Sequence, residues 1–391
     1  MADTMDNSEL VSILARILYE VKENKVSVDV AFKRVCKGRC VKSLEERERL
    51  YEISRRFISD YIRIMCCSND RRLSYRGIAR LWLSGVCNNE LLNELHCIYS
   101  YPKWFVDRLL ELMPKPEVER LLESMNKKVL WLRVNTLKSS IEGVLRGLDN
   151  EGVECVTCKE VPYMVKVLKT RKPLRLLSVV KEFKAIPQDL SSAAVVEALK
   201  PEPGDYILDL TAAPGMKTSL IMMLTDNKAK VVACDLSLRR VLIMRNLLKK
   251  LGIDLSRVNI IHTNSIMMNY RITYDKVLLD APCSNSGAIG KDPSIKVILT
   301  EGKVQYNSTL QFKLLSKALS LANYITFSTC SILPEEGELV ISRVLDRVKL
   351  VRPLNWVSNG YSIVSFNHNL MRLMPHIHES EGFFISTLQV V

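Results

Sequence analysis

The sequence predicts an α/β protein: a mostly parallel, helix-flanked sheet in the C-terminal half, preceded by a small α+β module and an all-helical N-terminal region. Three observations predict this. Apolar residues recur at helical spacing through the first hundred positions, a mixed stretch follows Tyr101-Pro102, and after Pro187 short apolar runs alternate with amphipathic ones.

The elements follow in order. Leu10, Ile13, Leu14, Ile17 and Leu18 mark one helical face, and Leu50, Ile53, Phe57, Tyr61 and Ile64 another. Gly and Pro are nearly absent until Tyr101-Pro102 breaks the pattern. The middle stretch reads as a helix over 104–113, a strand over 129–134, a helix over 139–150, and short strands near 153–155 and 164–167. Buried strands are then expected at 206–210, 230–234, 258–261, 276–279 and 324–327, with a closing strand at 382–388. The expected division is 1–100, 101–184 and 185–391.

Of 391 residues, 47% are hydrophobic and 25% charged, which excludes wholesale disorder. No run approaches the roughly 18 apolar residues of a membrane span. The polar, acidic N-terminus lacks a signal-peptide layout, so a cytoplasmic protein is expected. The net charge of +13 points to an anionic partner. Residues 1–184 hold 34 Lys+Arg against 25 Asp+Glu, so most of the excess lies outside the C-terminal half, as a nucleic-acid platform requires. Among 11 cysteines, Cys66, Cys67, Cys87, Cys97 and Cys234 read as small buried hydrophobes, not a disulfide framework. Cys36 and Cys40, and Cys155 and Cys158, are closely spaced, but no histidine pair completes a zinc site, and no metal is expected.

The segment Asp209-Leu210-Thr211-Ala212-Ala213-Pro214-Gly215-Met216-Lys217-Thr218 ends one strand and opens a helix. In open α/β sheets, ligands bind beyond the carboxyl ends of the strands, and small residues there admit a close approach. The loop is neither a dinucleotide G-x-G-x-x-G nor a phosphate loop. Asp235 ends the next strand, where a carboxylate commonly accepts from ribose hydroxyls; it is equally placed to cap the helix beginning near Ser237. A ribose with no phosphates to cradle points to S-adenosylmethionine.

Cys283 and Cys330 each follow a strand, in Asp280-Ala281-Pro282-Cys283-Ser284 and Ser328-Thr329-Cys330-Ser331. A single strand-end cysteine is usually structural. Two beside one cofactor loop suit a particular chemistry. Carbon 5 of cytosine is a poor nucleophile; a thiolate adding to carbon 6 makes an enamine whose carbon 5 can take a methyl group. Asp280 is placed to hydrogen-bond or protonate ring nitrogen 3. The nucleophile needs its thiolate stabilised, and Lys217 or a helix N-terminus expected at Pro334-Glu335-Glu336 would do so.

At these residues the chain resembles the Sun (Fmu/nucleolar-protein) family of RNA cytosine-5 methyltransferases. The likeness extends to Leu132-Arg133-Val134-Asn135-Thr136, Gln188-Asp189-Leu190-Ser191-Ser192, Ile332-Leu333-Pro334-Glu335-Glu336, Pro375-His376 and Gly382-Phe383-Phe384. It covers about residues 101–391, while 1–100 resembles a NusB-like RNA-binding domain. The resemblance implies a Rossmann-like methyltransferase sheet, Cys330 as carbon-6 nucleophile and Cys283 as the thiol assisting product release, with Asp280 and Lys217 beside them. Thr211, Ala212, Ala213, Pro214, Gly215, Met216, Lys217, Asp235, Arg240, Asn264 and Asp280 would hold S-adenosylmethionine or the target base. Thr211 stands where the family commonly has cysteine, Met216 replaces a second glycine, Asn264 an aspartate, and Gly290-Lys291 lies where arginines are usual.

The expected function is therefore transfer of a methyl group to a cytosine in ribosomal or transfer RNA by a monomeric enzyme. Two other classes stay open from sequence. A catalytically idle RNA-binding ribosome-assembly factor would transfer no label. A DNA cytosine-5 methyltransferase would label duplex DNA and depend on Cys283.

Overall fold

The computed structural model describes residues 6–37, 40, 43–68, 73–85, 93–270 and 272–391. It divides into two units: residues 1–128 with 284–303, and residues 129–283 with 304–391. The first unit thus extends past the expected boundary near residue 100 and takes in a distant segment, a discontinuity that sequence order alone does not reveal.

The first unit is helical. Asn7–Lys22 buries Val11, Ile13, Leu14, Ile17, Leu18 and Val21, the stripe its spacing predicts. Leu44–Ser59 opens with a reciprocal capping box between Ser43 and Glu46 and buries Leu50, Phe57 and Ile58. The apolar pattern read as continuous to Ile64 is interrupted at Asp60, and a separate helix, Tyr61–Cys67, carries it on. Pro102 stands just before Lys103–Leu112, and Lys115–Met125 follows with a proline in its first turn. The segment 284–303 contributes the helix Ser294–Ile298. Its Lys296 is buried, with Nζ donating to Ser59 O and Oγ and to Tyr99 O, above the Tyr101 ring. Burial lowers the Lys296 pKa to about 7.

The cysteines of this unit correct the expectation of unpaired buried thiols. Cys36 is bonded to Cys40 and Cys66 to Cys97, with Cα atoms 5.1 and 5.8 Å apart. The second pair joins residues on separate helices, a proximity that helical periodicity does not encode. Cys67 is disulfide-bonded as well, Cys155, Cys158 and Cys234 are free, and Cys87 lies outside the described residues.

The second unit begins with a four-stranded antiparallel sheet ordered β2-β3-β1-β4: β1 Leu130–Val134, β2 Glu154–Thr157, β3 Met164–Lys169 and β4 Ala185–Pro187. Helix Ile141–Asn150 covers it through Val144 and Leu148. The main sheet comprises β5 Tyr206–Asp209, β6 Lys230–Asp235, β7 Val258–His262, β8 Tyr274–Asp280, β9 Ala322–Thr329, β10 Val348–Val351, β11 Ser358–Asn359, β12 Met371–Leu373 and β13 Phe383–Val390. Its order is β11-β12-β13-β9-β8-β5-β6-β7, with β10 also on β13; the five strands β5 to β9 pair in parallel and β13 runs antiparallel to β9. Ile207, Leu208, Val277 and Leu278 are fully buried because helices cover both faces. Leu190–Leu199, Met216–Leu224 and Leu238–Lys250 pack on one side; Glu301–Ala318 and Glu338–Ile341 pack on the other. The chain order reverses at β5, so the ends of β5 and its neighbours form the crevice where such sheets hold ligands.

Candidate active site

The loop after β5 is braced from below. Gly215 caps Met216–Leu224 with φ +97°, and a Cβ there would stand 2.8 Å from the Met244 side chain. The peptide bond Ala213-Pro214 is cis. Arg133 of β1, fully buried, donates to Met216 O at 3.0 Å and Ser219 Oγ at 2.8 Å. Its pKa is lowered by burial to about 10, so it stays cationic at neutral pH. Asn135 donates to Phe183 O and Leu251 O, tying the antiparallel sheet to the main one. Thr218 Oγ1 donates to Asp209 Oδ2 at 2.7 Å. Burial, aided by the nearby Asp280 charge, raises the Asp209 pKa to about 7.

Asp235 stands at the end of β6 with its carboxylate almost wholly buried. Oδ2 accepts from Ala213 N at 3.1 Å and Oδ1 from Ser237 N at 2.9 Å. The cap of the helix Leu238–Lys250 is Ser237 and not Asp235, whose carboxylate instead steadies the turn before the helix and braces the loop. Arg240 donates to Ala213 O and lies 3.6 Å from Asp235, so in this structure it braces the loop. Asn264, just past β7, is exposed and accepts from Ile266 N, while Ser265 Oγ donates to Leu210 O.

The two thiols meet. Cys283 and Cys330 follow the adjacent strands β8 and β9, and their sulfurs are 3.0 Å apart. Beside them, Lys217 Nζ contacts Asp280 Oδ2 at 2.6 Å, and Ser328 Oγ donates to Asp280 Oδ1 at 2.8 Å. Thr211 Oγ1 donates to Asp280 O, so the position where cysteine is common works here as a hydroxyl clasp between β5 and β8. Lys217 also lies over the Phe383 ring.

One expectation is corrected. Pro334–Glu336 is a single 3-10 turn, followed by the four-residue helix Glu338–Ile341. A macrodipole sums over aligned peptides, so so short a helix offers Cys330 little charge.

Sequence reasoning missed the buried side chains that hold the two cysteine loops. Gln311 Nε2 donates to Pro282 O at 2.9 Å and reaches Glu336 Oε1 at 3.4 Å; Thr329 Oγ1 donates to Glu336 O. Arg372 makes a two-pronged pair with Glu338 and donates to Ser331 O, and Tyr361 Oη donates to Ile332 O. The signal in the sequence was the presence of Glu and Gln in otherwise apolar helix faces.

A crevice at the reversal of a parallel sheet, a small-residue loop after β5, a carboxylate ending β6 and an antiparallel strand beside β9 define a Rossmann-like methyltransferase fold. Residues 196–389 match the family described as 16S rRNA methyltransferase RsmB/F, and residues 101–172 match its RsmF/B-like ferredoxin-like domain. The chain is 30% identical over 331 residues to the 25S rRNA (cytosine-C(5))-methyltransferase nop2 of Schizosaccharomyces pombe, covering 78% of this chain and 53% of that protein. It is 30% identical to the ribosomal RNA small subunit methyltransferase B of Escherichia fergusonii, covering 76% and 69%. The solved structure of PH0851 superposes with a TM-score of 0.80 at 26% identity, over 99% of this chain and 100% of that one. The chain belongs to the RsmB/F family, the Sun family its motifs resemble, and spans about half the length of the fission-yeast relative. No helix among the described residues is long and apolar enough to cross a membrane.

Proposed function

We propose that the protein is an S-adenosylmethionine-dependent RNA cytosine-5 methyltransferase acting on ribosomal or transfer RNA, as a monomer in the cytoplasm. The observation that carries this reading is the 3.0 Å approach of the Cys283 and Cys330 sulfurs beside the Lys217–Asp280–Ser328 cluster.

The donor set fits the cofactor. A carboxylate has about four acceptor positions, and the contacts from Ala213 N and Ser237 N leave Asp235 capacity for a ribose hydroxyl pair. Thr211 to Lys217 and Asp280 would surround the sulfonium end and target base, and Asn264 the adenine edge. When bound, S-adenosylmethionine supplies the methyl group that carbon 5 accepts.

The chain's own residues do the rest. The Cys330 thiolate bonds to carbon 6 of an everted cytosine, breaking the 5,6 double bond. Asp280 faces ring nitrogen 3, and the Lys217 ammonium against its carboxylate is the proton source for that nitrogen. The Cys283 thiolate, 3.0 Å from Cys330, takes the carbon-5 proton; the double bond reforms, Cys330 leaves as a thiolate, and the nitrogen-3 proton returns to Lys217. The basic first unit docks the RNA through phosphate contacts. Incubation with methyl-labelled cofactor and bulk RNA tests this reading: label enters RNA and appears as 5-methylcytosine. Label confined to duplex DNA, or none at all, contradicts it.

A further inference from the structure

Cys66 lies in the last turn of the helix Tyr61–Cys67, and His96 and Cys97 lie in the short helix Leu95–Ile98, all within the first unit. One ligand atom from each of Cys66, His96 and Cys97 falls within 4.8 Å of the other two. A disulfide accounts for the two sulfurs but not for the imidazole. His96 Nε2 points at both, 3.3 Å from Cys97 Sγ and 3.9 Å from Cys66 Sγ. Its other nitrogen, Nδ1, lies 3.1 Å from Glu94 Oε2, and Glu94 is held in turn by Lys103 Nζ at 3.1 Å.

A carboxylate on the far nitrogen is the arrangement that fixes the tautomer and orientation of a metal-binding histidine. Thiolates and a neutral imidazole together suit a zinc-class divalent ion, with sulfur and nitrogen donors at about 2.3 and 2.0 Å. All three side chains are partly exposed, which gives an ion an entry route.

We propose that Cys66, Cys97 and His96 Nε2 form a binding site for a zinc-class divalent cation once the Cys66–Cys97 bond is reduced, with Glu94 orienting the imidazole. A dithiol reductant supplies two electrons and two protons to the sulfur–sulfur bond and leaves as its own cyclic disulfide. The two resulting thiols release their protons to solvent as the cation binds. Water fills the remaining tetrahedral position. The site is independent of the methyl-transfer reading, and its sulfurs come from different helices.

The test uses the full chain, reduced with a dithiol, freed of reductant under anaerobic conditions and titrated with Co²⁺. One Co²⁺ binds per chain, with thiolate-to-cobalt charge-transfer absorption that Zn²⁺ abolishes. Cys66→Ser and Cys97→Ser each remove the band, Glu94→Gln weakens binding about tenfold, and Cys155→Ser leaves both unchanged. In the unmutated chain, Zn²⁺ slows alkylation of Cys66 and Cys97, mapped by peptide mass spectrometry, and leaves Cys155 and Cys158 as reactive as before. No cobalt uptake after reduction, a band that survives Cys66→Ser, or protection of Cys155 and Cys158 in place of Cys66 and Cys97 overturns the proposal.

Discussion

Lys217 Nζ lies 2.6 Å from Asp280 Oδ2, joining the loop after β5 to the end of β8 directly beside the two thiols. In the proposed reaction this pair supplies a charge and a transferable proton to the pyrimidine ring. Asp280→Asn and Lys217→Met are each expected to lower kcat by about 10²- to 10⁴-fold, the range of general acid–base effects. Cofactor affinity measured by calorimetry should fall much less for Asp280→Asn. Near-unchanged turnover in both variants would remove the pair from the chemistry.

Asp209 is a second carboxylate with an unusual proton balance. Its folded-state pKa is raised from 3.8 to about 7 by burial. The folded state therefore holds a proton that the unfolded chain has released, so the stabilisation is full below about pH 4 and is lost as pH rises through 7. Between pH 5 and 8 this amounts to a fall of about 3 kcal/mol. Asp209→Asn should flatten that fall, measured by urea unfolding at the two pH values. Parallel pH profiles for the variant and the parent would refute the assignment.

The buried pair Arg372–Glu338 anchors the loop that carries Cys330, with side chains almost wholly inaccessible. Glu338→Gln strands the guanidinium and is expected to cost about 3–5 kcal/mol. Replacing both residues by apolar ones of similar volume should cost markedly less. Equal losses in the single and double variants, by chemical denaturation, would contradict this account.

Much of this was legible beforehand. The strands at 206–210, 230–234 and 276–279 stood out because residues buried on both faces give unbroken apolar runs. The two cysteines stood out because each ends such a run. β4 and β10 to β12 were not foreseen: they are two to four residues long, too short for periodicity to register. Gln311, Glu338 and Arg372 were equally hidden, since their roles depend on partners tens of residues away. The packing of 284–303 against residues 1–128 within the first unit, through Lys296 and through Arg55 donating to Gly290 O and Lys291 O, is a tertiary fact of the same kind.

The first unit carries the RNA-docking part of the proposal. Arg56, Arg76 and Arg80 are exposed on its helices. Their replacement by Gln is expected to weaken RNA binding and to reduce the salt dependence by about one counterion per lost phosphate contact. Point substitutions are preferable to deleting 1–100, which would strip the partners of 284–303. An unaltered salt slope in the triple variant would place the docking surface elsewhere.

The most direct test of the two-thiol chemistry is to incubate the Cys283→Ala and Cys330→Ala variants with RNA and S-adenosylmethionine and separate the products on a denaturing gel. Cys283→Ala should accumulate a covalent RNA–protein band, while Cys330→Ala should form no adduct and transfer no methyl group. Full methylation by Cys330→Ala, or an adduct that depends on Cys283 instead, would contradict the central claim.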